Sequence, residues 1–198
     1  MMDSNYLTSP VIFLIQTLFG LYILALLLRF LLQLMRADFY NPVSQFLVKI
    51  TAPPLRILRR FIPGLGGIDL SSLLLAWALK YAELMLVVAF SGLSTNPIGP
   101  LLWAIPELIE LFINIFLFAI LIQVILSWVS PGSYNPASAL LYSLTEPVMR
   151  PARKLLPPIS GLDLSPMLVM IGLVLLKMLL LPPLRMITAS ARGRGRRS

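Results

Sequence analysis

Five charged residues lie inside or at the mouths of long apolar stretches, where ionised side chains could hold helices together or line a path for ions. These intramembrane polar residues are Lys80, Glu83, Glu107, Glu110 and Lys177. A charge at the centre of a bilayer costs at least a few kcal/mol, so each one needs a partner or access to water. Lys80 and Glu83 are three positions apart and share one helix face. They predict an ion pair within one helix.

Two basic clusters could bind the phosphates of anionic lipids, and both are broken by prolines and remain half apolar. The predicted lipid- or partner-binding residues are Arg56, Arg59 and Arg60 in the first cluster and Arg150, Arg153 and Lys154 in the second. Such segments are too polar to span a membrane and should lie in the headgroup plane. Basic stretches beside apolar spans meet anionic lipid more often than nucleic acid, so we expect no nucleic-acid partner.

The side chains needed for most enzymatic and metal chemistry are absent. The chain has no cysteine and no histidine, which removes disulfides, Cys/His zinc sites, histidine-ligated haem and catalysis built on those groups. No nucleophile–base pair is evident among the remaining residues. We therefore expect no enzymatic activity, no catalytic or metal-binding residue and no cofactor.

The elements that position these residues are predicted to be membrane-spanning helices. Of the 198 residues, 58% are hydrophobic and only 12% are charged, more apolar than a soluble domain of this length could bury. Four stretches, at about 11–34, 70–93, 101–129 and 165–187, are long enough to cross a hydrocarbon core of about 30 Å. No β-barrel alternation is visible, so an all-α membrane protein is predicted.

The two segments between paired spans, 41–63 and 136–157, are predicted to be interfacial amphipathic helices. In the first, Val43 and Phe46 should face the lipid, with Ser44 and Thr51 on the opposite, polar side. Pro53–Pro54 should break this helix, and Pro147 should break its counterpart.

The chain contains an internal duplication. Residues 40–71 align without gaps on 134–165, with 14 identities in 32 positions. The matched motif residues include Tyr40, Asn41, Pro42 and Asp69 in the first copy and Tyr134, Asn135, Pro136 and Asp163 in the second. The predicted units are 1–98 and 99–188, each a span, an interfacial helix and a span, followed by a basic, disordered tail at 189–198.

The motif residues have structural roles that are expected from their types. Asn-Pro should make a turn and start a helix, and each aspartate should cap the span that follows it. The motif is either a corner at the membrane surface or a surface that binds a partner.

Each unit crosses the membrane twice, so both point the same way and a pseudo-two-fold axis along the membrane normal is expected. Lys177 is then the repeat equivalent of Glu83, and these opposite charges could meet between the units. Alternatively, Lys177 reaches the far interface or pairs with Glu107 or Glu110. Arg29, near the end of its span, should extend to the headgroups.

The pattern of span, Tyr-Asn-Pro, Thr-x-Pro-x-x-Arg-x-x-Arg/Lys, Gly-x-Asp-Leu-Ser and span resembles the YggT family of membrane proteins, also called YlmG. The resemblance covers nearly the whole chain and implies the two-unit, proteobacterial form in a bacterial cytoplasmic (inner) membrane. It also implies roles in osmotic-shock tolerance or envelope organisation in bacteria, and in cytochrome b6f cofactor attachment or nucleoid distribution in plastids. No catalytic activity defines the family.

The sequence leaves two functions open. The first is a non-enzymatic membrane adaptor that binds anionic lipid and either other membrane proteins or further copies of itself. The second is a small channel or carrier component that uses the intramembrane charges. The two motif loops hold eight basic residues and the opposite face holds five, in the C-terminal tail. The positive-inside rule therefore favours cytoplasmic motif loops.

Overall fold

A computed structural model describes residues 5–62, 68–92, 96–129, 135–156 and 163–193 of the chain. These residues form six helices: α1 (Asn5–Leu34), α2 (Pro42–Phe61), α3 (Leu70–Phe90), α4 (Ile98–Val129), α5 (Pro136–Leu155) and α6 (Ser165–Gly193). By length and composition, α1, α3, α4 and α6 can each cross a membrane. The structure therefore confirms an all-α membrane protein with four spans and two intervening helices.

The proline positions do not end the helices. α2 is continuous through Pro53 and Pro54, and α5 through Pro147, so the predicted breaks are wrong. Pro54 has no N–H to donate to the carbonyl of Ile50, four residues earlier. The Tyr22 hydroxyl of α1 donates to that oxygen at 3.2 Å, so a contact between helices satisfies the freed carbonyl.

The last helix is longer than predicted. α6 passes through Pro182 and Pro183 and ends at Gly193, so residues 189–193 of the predicted tail are helical. The remainder of the tail lies outside the described residues.

The buried face of α2 differs from the predicted one. Ser44 and Thr51, expected on the polar side, are buried against the protein. Val43 and Phe46 are exposed. The buried residues of α2 are Ser44, Leu47, Thr51 and Leu55, a spacing of three and four that follows one helix face. The Thr51 hydroxyl bonds to Arg29 of α1 and to the carbonyl of Leu47 in its own helix, which satisfies this buried polar group.

The core lies where the two units meet. Buried side chains of α1, α3, α4 and α5 form one cluster: Ile23, Leu27, Phe30, Leu31, Ala76, Ile115, Phe116, Ala119 and Leu144. The rings of Phe30 and Phe112 pack edge to face with centroids 6.0 Å apart. α6 packs on α4 and α5, and only 6% of its most apolar 18-residue stretch is buried within the protein. One face of α6 therefore packs inward and the rest faces away from the protein.

The units do not pack around the expected two-fold axis. A two-fold axis would exchange α1 with α4, α2 with α5 and α3 with α6. If α3 contacts α4, then α6 should contact α1. If α1 contacts α5, then α4 should contact α2. In the described residues α3 contacts α4 and α1 contacts α5, but α6 does not contact α1 and α4 does not contact α2. Equivalent helices of the two units consequently have different neighbours.

Candidate functional site

The two intervening helices, α2 and α5, each begin at an asparagine cap. Asn41 has an extended backbone and accepts a hydrogen bond from Val43 N at 2.9 Å. Asn135 accepts from Ser138 N at 2.8 Å, and Ser138 Oγ accepts from Asn135 N at 3.1 Å, which completes a capping box. These bonds satisfy N–H groups that a helix start leaves without a partner.

The two capped corners lie against each other. Asn41 Nδ2 donates to the carbonyl oxygen of Pro136 at 2.7 Å, joining the first unit's motif to the second's. Pro42 and Pro136 are the first residues of their helices, as predicted. Tyr40 is exposed, whereas Tyr134 lies outside the described residues. Because the equivalent corners are adjacent, the two units have the same orientation.

In each unit a buried threonine of the intervening helix, α2 or α5, bonds to the span that precedes it. Thr51 Oγ1 accepts from the Arg29 guanidinium at 2.7 Å, and the carbonyl of Val48 accepts from the same group at 3.4 Å. In the second unit the Thr145 hydroxyl contacts the side-chain amide of Gln123. Both threonines are fully buried and Arg29 is 8% exposed. The Arg29 side chain, which we expected to extend to the headgroups, bonds to α2.

An ion pair joins the end of α2 to the start of α3 in the first unit. Asp69 caps α3, accepting from the Ser72 hydroxyl at 2.7 Å and more weakly from Ser72 N at 3.4 Å, which confirms its predicted role. It also forms an ion pair with Arg59. Burial by itself raises the pKa of the Asp69 carboxyl, but the hydrogen bonds from Arg59 and Ser72 outweigh it and hold the pKa below its usual range.

The second corner repeats this arrangement with one addition. Arg153 Nε lies 3.2 Å from Asp163, and Arg153 Nη1 lies 2.8 Å from Glu146. Asp163 accepts from the backbone N–H of Ser165, the first residue of α6, at 2.9 Å. Burial by itself raises the pKa of the Asp163 carboxyl, but the hydrogen bonds from Ser165 and Arg153 together outweigh it, so the pKa is below its ordinary value.

The six predicted lipid-binding residues therefore fall into two groups. Arg59 and Arg153 form ion pairs that close the corners, and Arg150 lies 3.4 Å from Glu146. Arg56, Arg60 and Lys154 are exposed and form no ion pair with any described residue. These three charges remain available to an external anionic surface.

The charges within α3 satisfy each other in part. Lys80 Nζ lies 2.9 Å from Glu83 Oε1, which confirms the predicted pair within one helix. The Glu83 side chain is buried, and its Oε2 has no hydrogen-bond partner among the described residues. Lys177, which could have met Glu83 between the units, bonds elsewhere.

A second group of charges joins α4 to α6. Lys177 Nζ lies 2.7 Å from Glu110 and 3.1 Å from the side-chain oxygen of Asn114. Arg185 contacts Glu110 and lies 3.3 Å from Glu107. The predicted contact between units is thus wrong, and the alternative partner in α4 is correct. The two carboxylates and two cations hold α6 on α4.

These features define a multi-pass membrane protein built from two tandem units, each with a capped, basic corner. The family model described as CCB3/YggT matches the chain twice, at residues 8–90 and 102–184. The chain therefore belongs to the CCB3/YggT family, and the resemblance seen in the motifs is confirmed.

Bacterial relatives cover nearly the whole chain. An uncharacterised protein of Pseudomonas aeruginosa is 48% identical over 184 residues, which are 92% of this chain and 93% of that protein. An uncharacterised protein of Vibrio alginolyticus, described by its position in the proC 3′ region, is 44% identical over 81% of this chain and 88% of its own. The uncharacterised protein YggT of Escherichia coli K12 is 41% identical over 84% and 86%. No solved structure matches the chain.

Proposed function

We propose that this protein is a non-enzymatic adaptor of the bacterial inner membrane, in which α2 and α5 lie in the cytoplasmic headgroup layer and bind anionic lipid. The observation that carries the proposal is the bond between the two corners, from Asn41 to Pro136, which brings together the starts of the two basic helices. Arg56, Arg60 and Lys154 are exposed on those helices and lack internal carboxylate partners in the described residues. A juxtamembrane cation contributes about 1 kcal/mol of attraction to an anionic leaflet.

The spans offer the complementary surface for partner proteins or for a second copy. α6 exposes large apolar side chains along its length, including Met167, Ile171, Met178 and Leu179. Such a face is covered in the membrane by lipid or by another helix. Together with the family resemblance, this surface supports a role in assembling envelope components or in osmotic-stress tolerance.

The lipid contact is tested by the lipids that the purified protein retains. The full chain is reconstituted in nanodiscs of phosphatidylcholine with phosphatidylglycerol, extracted mildly, and the retained lipids are measured by mass spectrometry. The triple variant Arg56→Gln, Arg60→Gln, Lys154→Gln should lose several-fold of the phosphatidylglycerol enrichment, because three attractive charges are removed.

The matched control removes three charges from the C-terminal end, with Arg194→Gln, Arg196→Gln and Arg197→Gln. It should retain most of the enrichment. Equal losses in the two triple variants, or no enrichment in the unmodified protein, would contradict the proposal.

An ion or osmolyte pathway is the second candidate, favoured by the oxygen of the buried Glu83 that has no hydrogen-bond partner among the described residues. A channel would use such a carboxylate as a binding point along a polar route. Potassium flux into proteoliposomes distinguishes the two functions. Robust flux that is lost in Glu83→Gln or Lys80→Met would replace the adaptor with a conducting protein, whereas flux equal to that of empty liposomes supports the adaptor.

A further inference from the structure

The first unit contains a pocket lined by three arginines at the end of α1. The pocket, of about 560 Å³, lies between α1, α2 and the start of α3. Arg29, Arg36 and Arg59 line it, together with Asp69, Gln33 and Ser44. One carboxylate therefore faces three guanidinium groups.

The charge of Arg29 is not neutralised within the pocket. Its guanidinium bonds to two uncharged oxygens, those of Thr51 and Val48, and forms no ion pair with a described carboxylate. Asp69 is already paired with Arg59. Burial of a cation without an anionic partner is costly, and an external anion would offset that cost.

The backbone conformation at Arg36 is a second unusual feature of this pocket. Arg36 ends α1 in the left-handed conformation, with φ of 53°. Its N–H bonds to the carbonyl of Gln33, and the N–H of Ala37 bonds to that of Leu32, which is the Schellman pattern. Glycine is favoured at this position, and a side chain there costs about 1 kcal/mol. The sequence nevertheless places an arginine here, and its side chain lines the pocket.

The second unit lacks these features. Gln123 stands where the repeat would place Arg29, and Ser130 is the sequence counterpart of Arg36. The pocket that Gln123 lines, of about 750 Å³, has no basic residue among its described lining. Duplication has therefore left the cluster of arginines in one unit only.

We propose that the Arg29–Arg36–Arg59 pocket binds a single phosphate group. Guanidinium groups recognise phosphate oxygens by paired, charge-assisted hydrogen bonds. The group could belong to an anionic lipid headgroup or to soluble phosphate, which share this chemistry. The inference rests on the proposed contact with anionic lipid and deepens it by naming one headgroup site.

The test measures ligand-induced thermal stabilisation of the delipidated full chain in a neutral detergent. Three probes are compared: short-chain phosphatidylglycerol, short-chain phosphatidylcholine and inorganic phosphate. Arg29→Gln copies the second unit, Arg36→Ala removes an exposed arginine of the pocket, and Lys49→Ala is the control, an exposed cation of α2 outside the pocket lining. Each variant is compared with its own ligand-free midpoint, because a ligand of the folded state raises that midpoint according to its affinity.

The unmodified protein should be stabilised by one of the two net-anionic probes, phosphatidylglycerol or inorganic phosphate, and not by phosphatidylcholine, whose phosphate is neutralised by its choline. Arg29→Gln and Arg36→Ala should weaken that binding about tenfold, since each removes a charged hydrogen-bond donor, whereas Lys49→Ala should change it less than twofold. Stabilisation by phosphatidylglycerol alone identifies a lipid headgroup as the source, and stabilisation by inorganic phosphate identifies the soluble anion.

Two results would overturn the site and are distinguishable from each other. If Arg36→Ala and Lys49→Ala bind the stabilising probe alike, the pocket is not the site, although the proposed lipid contact stands. If neither phosphatidylglycerol nor inorganic phosphate stabilises the unmodified protein, the pocket binds no phosphate group. Absence of phosphatidylglycerol enrichment in nanodiscs would then remove the proposed function as well. Arg36 is exposed, so its variant remains informative if Arg29→Gln does not fold.

Discussion

Replacing the hydroxyl of Thr51 by a methyl group should destabilise the protein more than the same change at Thr145. Both residues are fully buried, and each also contacts the carbonyl four residues before it, so that contribution cancels in the comparison. Thr51→Val leaves the buried Arg29 guanidinium without its 2.7 Å acceptor, whereas Thr145→Val affects the neutral Gln123. Bonds to charged groups contribute about 1.5–3 kcal/mol and neutral ones about 0.5–1.5 kcal/mol.

Bonds between membrane helices tend toward the lower end of these ranges. We therefore expect losses of about 2 kcal/mol for Thr51→Val and about 1 kcal/mol for Thr145→Val. The free energy of unfolding is measured in mixed micelles of dodecyl maltoside and dodecyl sulfate. In an Arg29→Gln background the effect of Thr51→Val should fall toward that of Thr145→Val. Equal effects of the two valine substitutions in the unmodified background would refute the reasoning.

Two further predictions concern the ion pairs. Glu110→Gln should lower the free energy of unfolding by about 1–3 kcal/mol, because it removes the carboxylate bonded to Lys177. Glu107→Gln should lower the free energy of unfolding by less, because Arg185 keeps Glu110 as a partner. A larger loss for Glu107→Gln than for Glu110→Gln would contradict this account. The pKa of Asp69 is lowered by folding, so its pair with Arg59 stabilises the protein above the unfolded value near 4 and is lost as the pH falls through the folded value. Acid titration of stability should thus show the gap between the unmodified protein and Asp69→Asn closing below about pH 4, and a constant gap would argue against the shift.

The parts of the fold set by local chemistry were predictable from sequence. Apolar length marked the four spans, and the duplicated motif marked both corners. Asn41 and Asp69 cap helices as their types and positions indicated, because capping depends on neighbours two or three residues away. The Lys80–Glu83 pair was predictable for the same reason.

The features that depend on packing between helices could not be predicted from the sequence. The Pro53–Pro54 break was wrong because a hydroxyl from α1 satisfies a carbonyl that proline frees. The contact between Lys177 and Glu83 was wrong because it assumed a two-fold arrangement that the units do not adopt, whereas the alternative partner Glu110 is the one observed. The role of Arg29 carried a signal, since Arg29 and Gln123 precede Thr51 and Thr145 by the same 22 residues. Reading that signal requires knowing that the threonines face inward.

The central claim is that the two basic corners lie together on one face of the membrane, and paired cysteine labelling tests it most directly. The chain has no cysteine of its own, so Arg60→Cys and Lys154→Cys each introduce a single reactive thiol at equivalent, exposed positions. A membrane-impermeant maleimide is applied to sealed vesicles of known orientation, with Asn96→Cys as the control for the opposite face. The account predicts that both corner thiols react from the cytoplasmic side and the control from the other. Reaction of the two corner thiols from opposite sides would contradict it.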